Sequence, residues 1–381
     1  MTYSEISKSN NKRILLGQLN SNGDCLYATT VAYQIKVDYP DCHLTWAIGS
    51  MCRSVIEGNP HVDEIWEIPL HKIEDAAKVW NQFVSEAIER KNKGDFDEIF
   101  FTQFSPCNYE KYDGLIRSST FRGYPKPITV PIAPILCLSA NEVERVRIFA
   151  EKNKLTQRKH VILFECSPKS DQSFVNPDFA LDVAKKLVEH FSDDVCAILS
   201  SNVSIDSGCE NIVDGSKISL RENAELTKYC TLLIGCSSGI TWICTSSWAK
   251  PLPMVQLLKA NPIWYASVIG DHNCWGLPTD TVIEMTECES SHVERCIALI
   301  FNESFSIAKT KFHQDIDITF HSYGHLIRGM LLRGQLRKAK MMTSNHIERN
   351  GWKNLFRWYR SVLSDRLHFS KIMRKLRKLI S

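Results

Sequence analysis

A carboxylate at the lip of a strand-to-helix turn is placed to take a proton, and this chain puts one at Gly23-Asp24. The apolar run Arg13 to Leu16 leads into Asn20-Ser21-Asn22-Gly23-Asp24, and a helix is expected from Cys25 to Val37. Glycine permits a tight or left-handed turn there, and the start of a helix offers unpaired backbone N–H groups to an anion. A second turn of this kind, Ser237-Ser238-Gly239-Ile240-Thr241, follows the apolar run Leu232 to Ile234 and could hold phosphates with its amides and hydroxyls. Lys259 to Trp264 come after the last clear strand, at the edge where open parallel sheets bind ligands. Lys259, Asn261 and Pro262 are therefore candidates for contact with a nucleotide base. Plain alternatives stand beside each: Asp24 as a helix-capping aspartate, and the serines as an ordinary N-cap without a ligand. His272 reads as a loop histidine, since no paired carboxylate or serine motif accompanies it.

These residues need a scaffold, and the chain alternates strand-like with helix-like segments. Strands are expected around His43 to Ile48, Glu98 to Thr102, Val161 to Phe164, Val195 to Leu199, Leu232 to Ile234 and Met254 to Leu257. Helices are expected over Asp75 to Asn92 and Pro177 to Phe191, and from the capping box Ser139-Ala140-Asn141-Glu142 to about Asn153. Such alternation argues for parallel sheets built from βαβ units. Residues 105 to 134 instead mix seven Gly or Pro with aromatic and basic side chains, among them Tyr112, Arg117 and Arg122. A loop of that length is either an irregular surface excursion or an acceptor-binding segment.

Bulk composition narrows the class. A chain of 381 residues that is 44% apolar can bury two ordinary cores. No apolar run reaches the eighteen residues of a membrane span, and residues 1 to 13 lack the apolar segment of a secretion signal, so a cytoplasmic protein is expected. The fourteen cysteines are scattered singly without Cys-x-x-Cys pairs, which fits a reducing compartment better than disulfides or a zinc site. No metal and no cofactor is expected. The +3 net charge hides an asymmetry: residues 331 to 381 carry fourteen Lys or Arg against Glu348 and Asp365, which leaves the rest at −9.

That basic tail is also periodic. Trp352, Leu355, Phe356, Tyr359, Val362 and Leu363 keep helical spacing, and Phe369, Ile372, Met373, Leu376, Leu379 and Ile380 repeat it. A basic amphipathic helix can lie on an anionic membrane surface; equally, it can pack on its own body or on a second subunit as a homo-oligomer. Nucleic acid is not an expected partner, because no recognition motif accompanies the charge.

Taken in order, the strand, the small-residue loop with Gly23-Asp24, the helix, Tyr39-Pro40-Asp41, the next strand and Asn59-Pro60-His61-Val62-Asp63 resemble the bacterial heptosyltransferase family. The resemblance extends over roughly residues 13 to 260 through Phe164 to Phe174, Leu233 to Trp242 and Ala249-Lys250-Pro251. It implies a GT-B fold: an α/β protein of two Rossmann-like domains facing a cleft, followed here by a basic helical tail. The implied division is 1–155 for the acceptor domain, 156–310 for the nucleotide-sugar domain and 311–381 for the tail. It further implies an inverting sugar transfer from a nucleotide diphosphate donor to a glycan, glycolipid or protein acceptor, with Asp24 as base. Ser237, Ser238, Gly239 and Thr241 would then grip the diphosphate, and Asn22 and Gly23 would meet the acceptor, joined by Tyr112, Arg117 and Arg122 if the 105–134 segment is an acceptor loop.

The chain departs from the family pattern at three places. Ser237 stands for an aspartate, Trp242 for a histidine, and Gln172 for a phosphate-neutralising lysine if Phe174 matches the family tryptophan. Lys169, three residues before Gln172, has a stem long enough to reach the same diphosphate, or is a solvated loop lysine. Two rival functions follow. One is a nucleotide-sugar epimerase on the same two-domain plan; the other is a non-catalytic relative that acts as a binding or assembly protein. A dehydrogenase is disfavoured by the absence of Gly-x-Gly-x-x-Gly in both halves.

Overall fold

A computed structural model of the chain describes residues 11–260, 262, 264–286, 288–316, 320–353 and 356. The first half runs β1 (Arg13–Gly17), α1 (Asn22–Asp38), β2 (His43–Gly49), β3 (Glu64–Ile68), α2 (Ala76–Asn92) and β4 (Glu98–Phe101). Its four strands form one sheet in the order β3-β2-β1-β4, and every neighbouring pair is parallel. Ile14, Leu15 and Leu16 are fully buried, as an unbroken apolar run must be when helices cover both faces of a sheet.

A connection holding α3 (Ile116–Phe121) and α4 (Ala140–Lys152) leads to the second half. This comprises β5 (His160–Glu165), α5 (Pro177–Phe191), β6 (Val195–Ser200), β7 (Ile212–Asp214), α6 (Glu222–Leu226), β8 (Leu232–Gly235), α7 (Gly239–Ile243), β9 (Met254–Leu258), α8 (Val268–Trp275), β10 (Val282–Thr286) and α9 (Ser290–Asn302). The six strands are all parallel, in the order β10-β9-β8-β5-β6-β7. Counted from its own first strand, that is the 3-2-1-4-5-6 order of the doubly wound fold, and the four strands of the first sheet follow its opening 3-2-1-4. Local chemistry agrees with the element ends. In α5, Asn176 caps the amide of Phe179 at 2.9 Å, Pro177 opens the helix, and Ala180, Val183, Ala184 and Leu187 bury one face. In α4, Ser139 and Glu142 form the expected reciprocal capping box. The α/β class and two parallel sheets are thus as expected.

Two expectations are corrected, and two others gain detail. Helix α1 begins at Asn22, so Gly23 and Asp24 lie in its first turn, and the left-handed residue before it is Ser21 (φ 70). Residues 105–122 are no surface loop: Tyr112, Asp113, Arg117, Ser118, Ser119 and Thr120 are buried. The second domain runs past 310, because α10 (Phe305–Phe312) packs on α9 and β10. Finally, the tail begins as folded core. Helix α11 (Phe320–Leu332) and a helix over 336–353 place Tyr323, Met330, Ala339 and Met342 against Phe104 and Tyr112 of the first half. The expected stripe beyond this, from Leu355 through Ile380, lies outside the described residues apart from Phe356.

Candidate active site at the domain seam

In a doubly wound sheet, ligands bind beyond the carboxyl ends of the strands where the strand order reverses. The first sheet has that point between β1 and β4, and the second between β5 and β8. Every sequence feature singled out above for chemistry near Asp24 or Ser237 falls at one of these two points.

At the first point, β1 gives way to Gln18, Leu19 and Asn20, and β4 gives way to Thr102 and Gln103. The four polar residues are buried and tied together: Thr102 Oγ1 donates to Gln18 Oε1 at 3.1 Å, Gln18 Nε2 to the Asn20 carbonyl at 3.0 Å, and the Leu19 amide to Gln103 Oε1 at 2.9 Å. Three atoms are left over: Asn20 Oδ1, Asn22 Oδ1 and Gln103 Nε2 are shut away from solvent with no hydrogen-bond partner among the described residues. Asp24 is 8% exposed. Burial, with no donor or cation among the described residues to offset it, pushes its carboxyl up to about 8.

Helix α1 meets the second domain directly. A Cβ on Gly23 would stand 3.4 Å from Trp242, and one on Gly239 would stand 3.6 Å from Asn22. Trp242 meets Tyr27 edge-on at 5.0 Å, and the Arg117 guanidinium lies 4.8 Å from the Tyr27 ring and 5.4 Å from that of Trp242. Arg117 Nη2 stands 3.2 Å from Asp271 Oδ2, too oblique for a hydrogen bond, and its Nε and Nη1 meet no acceptor among the described residues. Burial raises Asp271 and lowers His272, whose Nδ1 is 2.7 Å from the Pro278 carbonyl.

At the second point, the turn after β8 is already full. Glu165, the last residue of β5, accepts from the Cys236 amide (2.8 Å) and Thr241 Oγ1 (2.7 Å) on one oxygen, and from the Ile240 amide (3.2 Å) and Ser238 Oγ on the other. The Ser237 amide goes to Gln256 Oε1 at 2.9 Å. Of the donors assigned to a diphosphate, the Ser237 amide and the hydroxyls of Ser238 and Thr241 are thus engaged within the protein.

The other predicted residues scatter. Gln172 is buried, with Nε2 3.4 Å from the Tyr265 carbonyl, and its own carbonyl accepts from the Lys259 amide at 2.9 Å. The Lys259 side chain pairs with Asp171, Lys169 is exposed, and Asn261 lies outside the described residues, next to the buried Pro262. The loops at 167–174 and 259–265 are therefore zipped to one another. Tyr112 is wholly buried, its hydroxyl accepting from the Tyr265 amide at 3.2 Å, and Arg122 pairs with Asp113 and Glu348. Neither presents itself to an acceptor.

Two clamps that sequence reasoning missed hold the seam shut. Arg221 of the second domain reaches into the first, donating to the carbonyls of Ser54 (2.8 Å), Glu57 (2.9 Å) and Cys137. It also pairs with Glu142 at 2.6 Å; burial would raise that carboxyl, but Arg221 and Ser139 hold it down at about 2. On the other flank, Arg349 of the 336–353 helix donates to Asp113 Oδ2 (2.6 Å) and Ser118 Oγ (2.6 Å) in the first half and to Cys274 in the second. Among the described residues no three His, Cys, Asp or Glu side chains converge as a metal site.

No family model and no curated protein matches the chain. Among solved structures, it is similar to a glycosyl transferase family 9 protein from Veillonella parvula, at 14% identity over 79% of this chain and 94% of that one, with a TM-score of 0.49. It is similar to the ADP-heptose LPS heptosyltransferase II of E. coli, at 13% identity over 77% and 99%, TM-score 0.49. It is also similar to a putative UDP-N-acetylglucosamine 2-epimerase from Listeria monocytogenes, at 9% identity over 86% and 96%, TM-score 0.48.

Proposed function

We propose that the chain is a GT-B glycosyltransferase that moves a heptose or another hexose-type sugar from a nucleotide diphosphate donor to a glycan, glycolipid or protein acceptor. The observation that carries this reading is Asp24, a carboxyl at the first switch point in the helix that meets the second domain, buried and pushed up to about 8. A free carboxylate there binds a proton far more tightly than an ordinary aspartate, which suits it to deprotonate a sugar hydroxyl. In the step envisaged, Asp24 takes the acceptor proton as the acceptor oxygen bonds to the anomeric carbon. The bond from that carbon to the diphosphate breaks on the opposite face, inverting the centre. The ordered resemblance over residues 13 to 260 supports a heptose-type donor and work in lipopolysaccharide or polysaccharide synthesis at the inner face of a membrane.

In this reading the substrates enter when α1 parts from α7, since Asp24 is buried in the closed molecule. Domain separation of this kind is ordinary in two-domain enzymes that exclude water during reaction.

One observation favours the rival reading of a non-catalytic binding protein: Glu165 fills the turn assigned to the donor. Release of nucleoside diphosphate from a panel of ADP-, UDP-, GDP- and dTDP-sugars, measured with and without glycan acceptors, separates the two. Acceptor-dependent release that is lost in Asp24→Asn is the expected result. No release from any donor by the folded wild-type chain would leave only the binding role, and release of an isomerised sugar would make it an epimerase.

A further inference from the structure

The hairpin of α11 and the 336–353 helix has two unlike faces. Gly334 (φ 68) ends α11 in the left-handed conformation, and the Gln335 amide reaches back to the Met330 carbonyl at 2.9 Å, so the chain reverses within a few residues. Met330, Ala339 and Met342 pack inward on Phe104 and Tyr112. The apex is different: all seven residues from Leu331 to Arg337 are exposed, and Leu331, Leu332 and Leu336 leave 50%, 77% and 67% of their surface to solvent. Around these leucines the charge has one sign. Residues 318–347 contain Arg328, Arg333, Arg337, Lys338 and Lys340 and no Asp or Glu. Among the described residues, only Lys338 of these five has a carboxylate partner, Glu110 at 3.3 Å. A cavity of about 260 Å³ lies beside the apex, lined by Arg333 and Lys338 together with Tyr109, Glu110 and Met330.

We propose that this apex docks the chain on an anionic phospholipid leaflet, with Leu331, Leu332 and Leu336 entering the boundary between headgroups and acyl chains while Arg333, Arg337 and Lys340 meet lipid phosphates. Leucines that protrude at a chain reversal are unfavourable in water and gain by burial in an apolar phase. The cations around them supply the attraction that makes the landing selective for negative lipid. A protein partner fits less well: three leucines on a protruding tip fall well short of the ~800 Å² that an ordinary interface takes from each partner. The cavity gives one headgroup phosphate a seat, where Arg333 and Lys338 outweigh Glu110. The hairpin is bonded to the first half, from Asn345 to the Glu110 carbonyl at 2.7 Å and from Arg349 to Asp113 at 2.6 Å. Docking therefore brings the half that carries Asp24 to the leaflet, which, resting on the sugar-transfer reading, favours a glycolipid acceptor.

The test is sedimentation of the full chain with vesicles of phosphatidylcholine, alone or mixed with an equal part of phosphatidylglycerol. Wild type should sediment with the mixed vesicles only, and salt should weaken the binding. Leu332→Asp combined with Leu336→Asp should lower vesicle affinity tenfold or more while melting alongside wild type, because both side chains are exposed. Leu332→Ser with Leu336→Ser takes its place if the charged pair disturbs folding. Arg333→Gln with Arg337→Gln should also weaken binding and flatten its salt dependence. A chain ending at residue 356 should bind as the full chain does. The proposal falls if wild type ignores mixed vesicles or binds phosphatidylcholine alone equally well, if a folded leucine pair binds as wild type, or if binding is lost only on ending the chain at 356. It falls too if wild type self-associates and the leucine variants do not, since a second copy then covers the apex, and if both leucine pairs misfold, since the leucines then belong to the core. The sugar-transfer reading is judged separately: a chain that docks but turns over no donor leaves the apex standing and removes that reading alone.

Discussion

The two sheets share the order of their first four strands, yet their switch points are in opposite states. At the second, between β5 and β8, the donors of the turn meet acceptors from Glu165 and Gln256. At the first, between β1 and β4, Asn20 Oδ1, Asn22 Oδ1 and Gln103 Nε2 lack partners, and Asp24 meets no donor, among the described residues. An unmade hydrogen bond on a buried polar group costs about 1–3 kcal/mol, so the first point is held in place by the rest of the fold against its own preference. A hydroxyl-bearing ligand would recover that cost there. The same strand order around the switch point thus yields one end poised for chemistry and another largely engaged with itself.

The largest effect that would break this contrast is at Asp24. Asp24→Asn should lower turnover by about 10² to 10⁴, and the wild-type rate should climb with pH to a plateau above about 8, measured as a pH–rate profile. Stability should move the other way. The folded carboxyl keeps its proton to about 8, whereas an unfolded aspartate releases it near about 4. The stability that Asp24 lends is therefore complete below about pH 4 and is lost as pH rises to 8, so Asp24→Asn should melt above wild type at pH 9 and alongside it at pH 4. A rate that is flat with pH, or a variant as active as wild type, would remove the first point's claim to chemistry.

Next in size, Arg349→Met should strip Asp113 of its 2.6 Å partner and leave a buried carboxylate under-paired, costing about 3 kcal/mol in denaturant titration. An unchanged midpoint would show that Arg122 and Ser118 suffice. Smaller again, Gly235→Ala should force a methyl group against Thr241 and Gln256, at a cost of about 1–3 kcal/mol, and loosen Glu165. Wild-type stability there would mean that the second point is less tightly built than its hydrogen bonds imply. The smallest effect should come from removing residues 357–381, which leaves the Arg349 clamp intact: stability should change by under about 0.5 kcal/mol. Salt-sensitive sedimentation with anionic vesicles should vanish in the same truncation if this basic segment meets lipid.

Much of the scaffold was legible because its signals are local. Apolar runs such as Val161 to Phe164 are buried strands, and the Ser139–Glu142 capping box and Pro177 open the helices they announce. Short or partly polar strands, β3, β7 and β10, gave no such run and were not read. The site was less legible. Asp24 stands out by its Gly-Asp turn, but Glu165 looks like any polar residue ending a strand, and its partners lie more than 70 positions later. Tyr112 and Arg117 sit among Gly and Pro that suggest a surface loop, whereas their burial is supplied by Asp271, Tyr323 and the 336–353 helix. Periodicity reports a segment's own faces; it is silent on what a remote segment will lay over them.

The 336–353 helix has a consequence for how the protein comes into being. Its bonds join Asp113 to Arg349 across 236 positions of sequence, and the apolar patch of Phe104 and Tyr112 has its cover in residues 323–342. As the chain leaves the ribosome, the first sheet can assemble early, but this patch must wait bare while both sheets are made. Long-range closure of this kind is slow and exposes apolar surface meanwhile. A ribosome stalled before residue 320 should therefore carry a first domain that is folded in its strands yet still binds a hydrophobic dye or a chaperone, and the 336–353 helix acts as the fastener that ends the exposure.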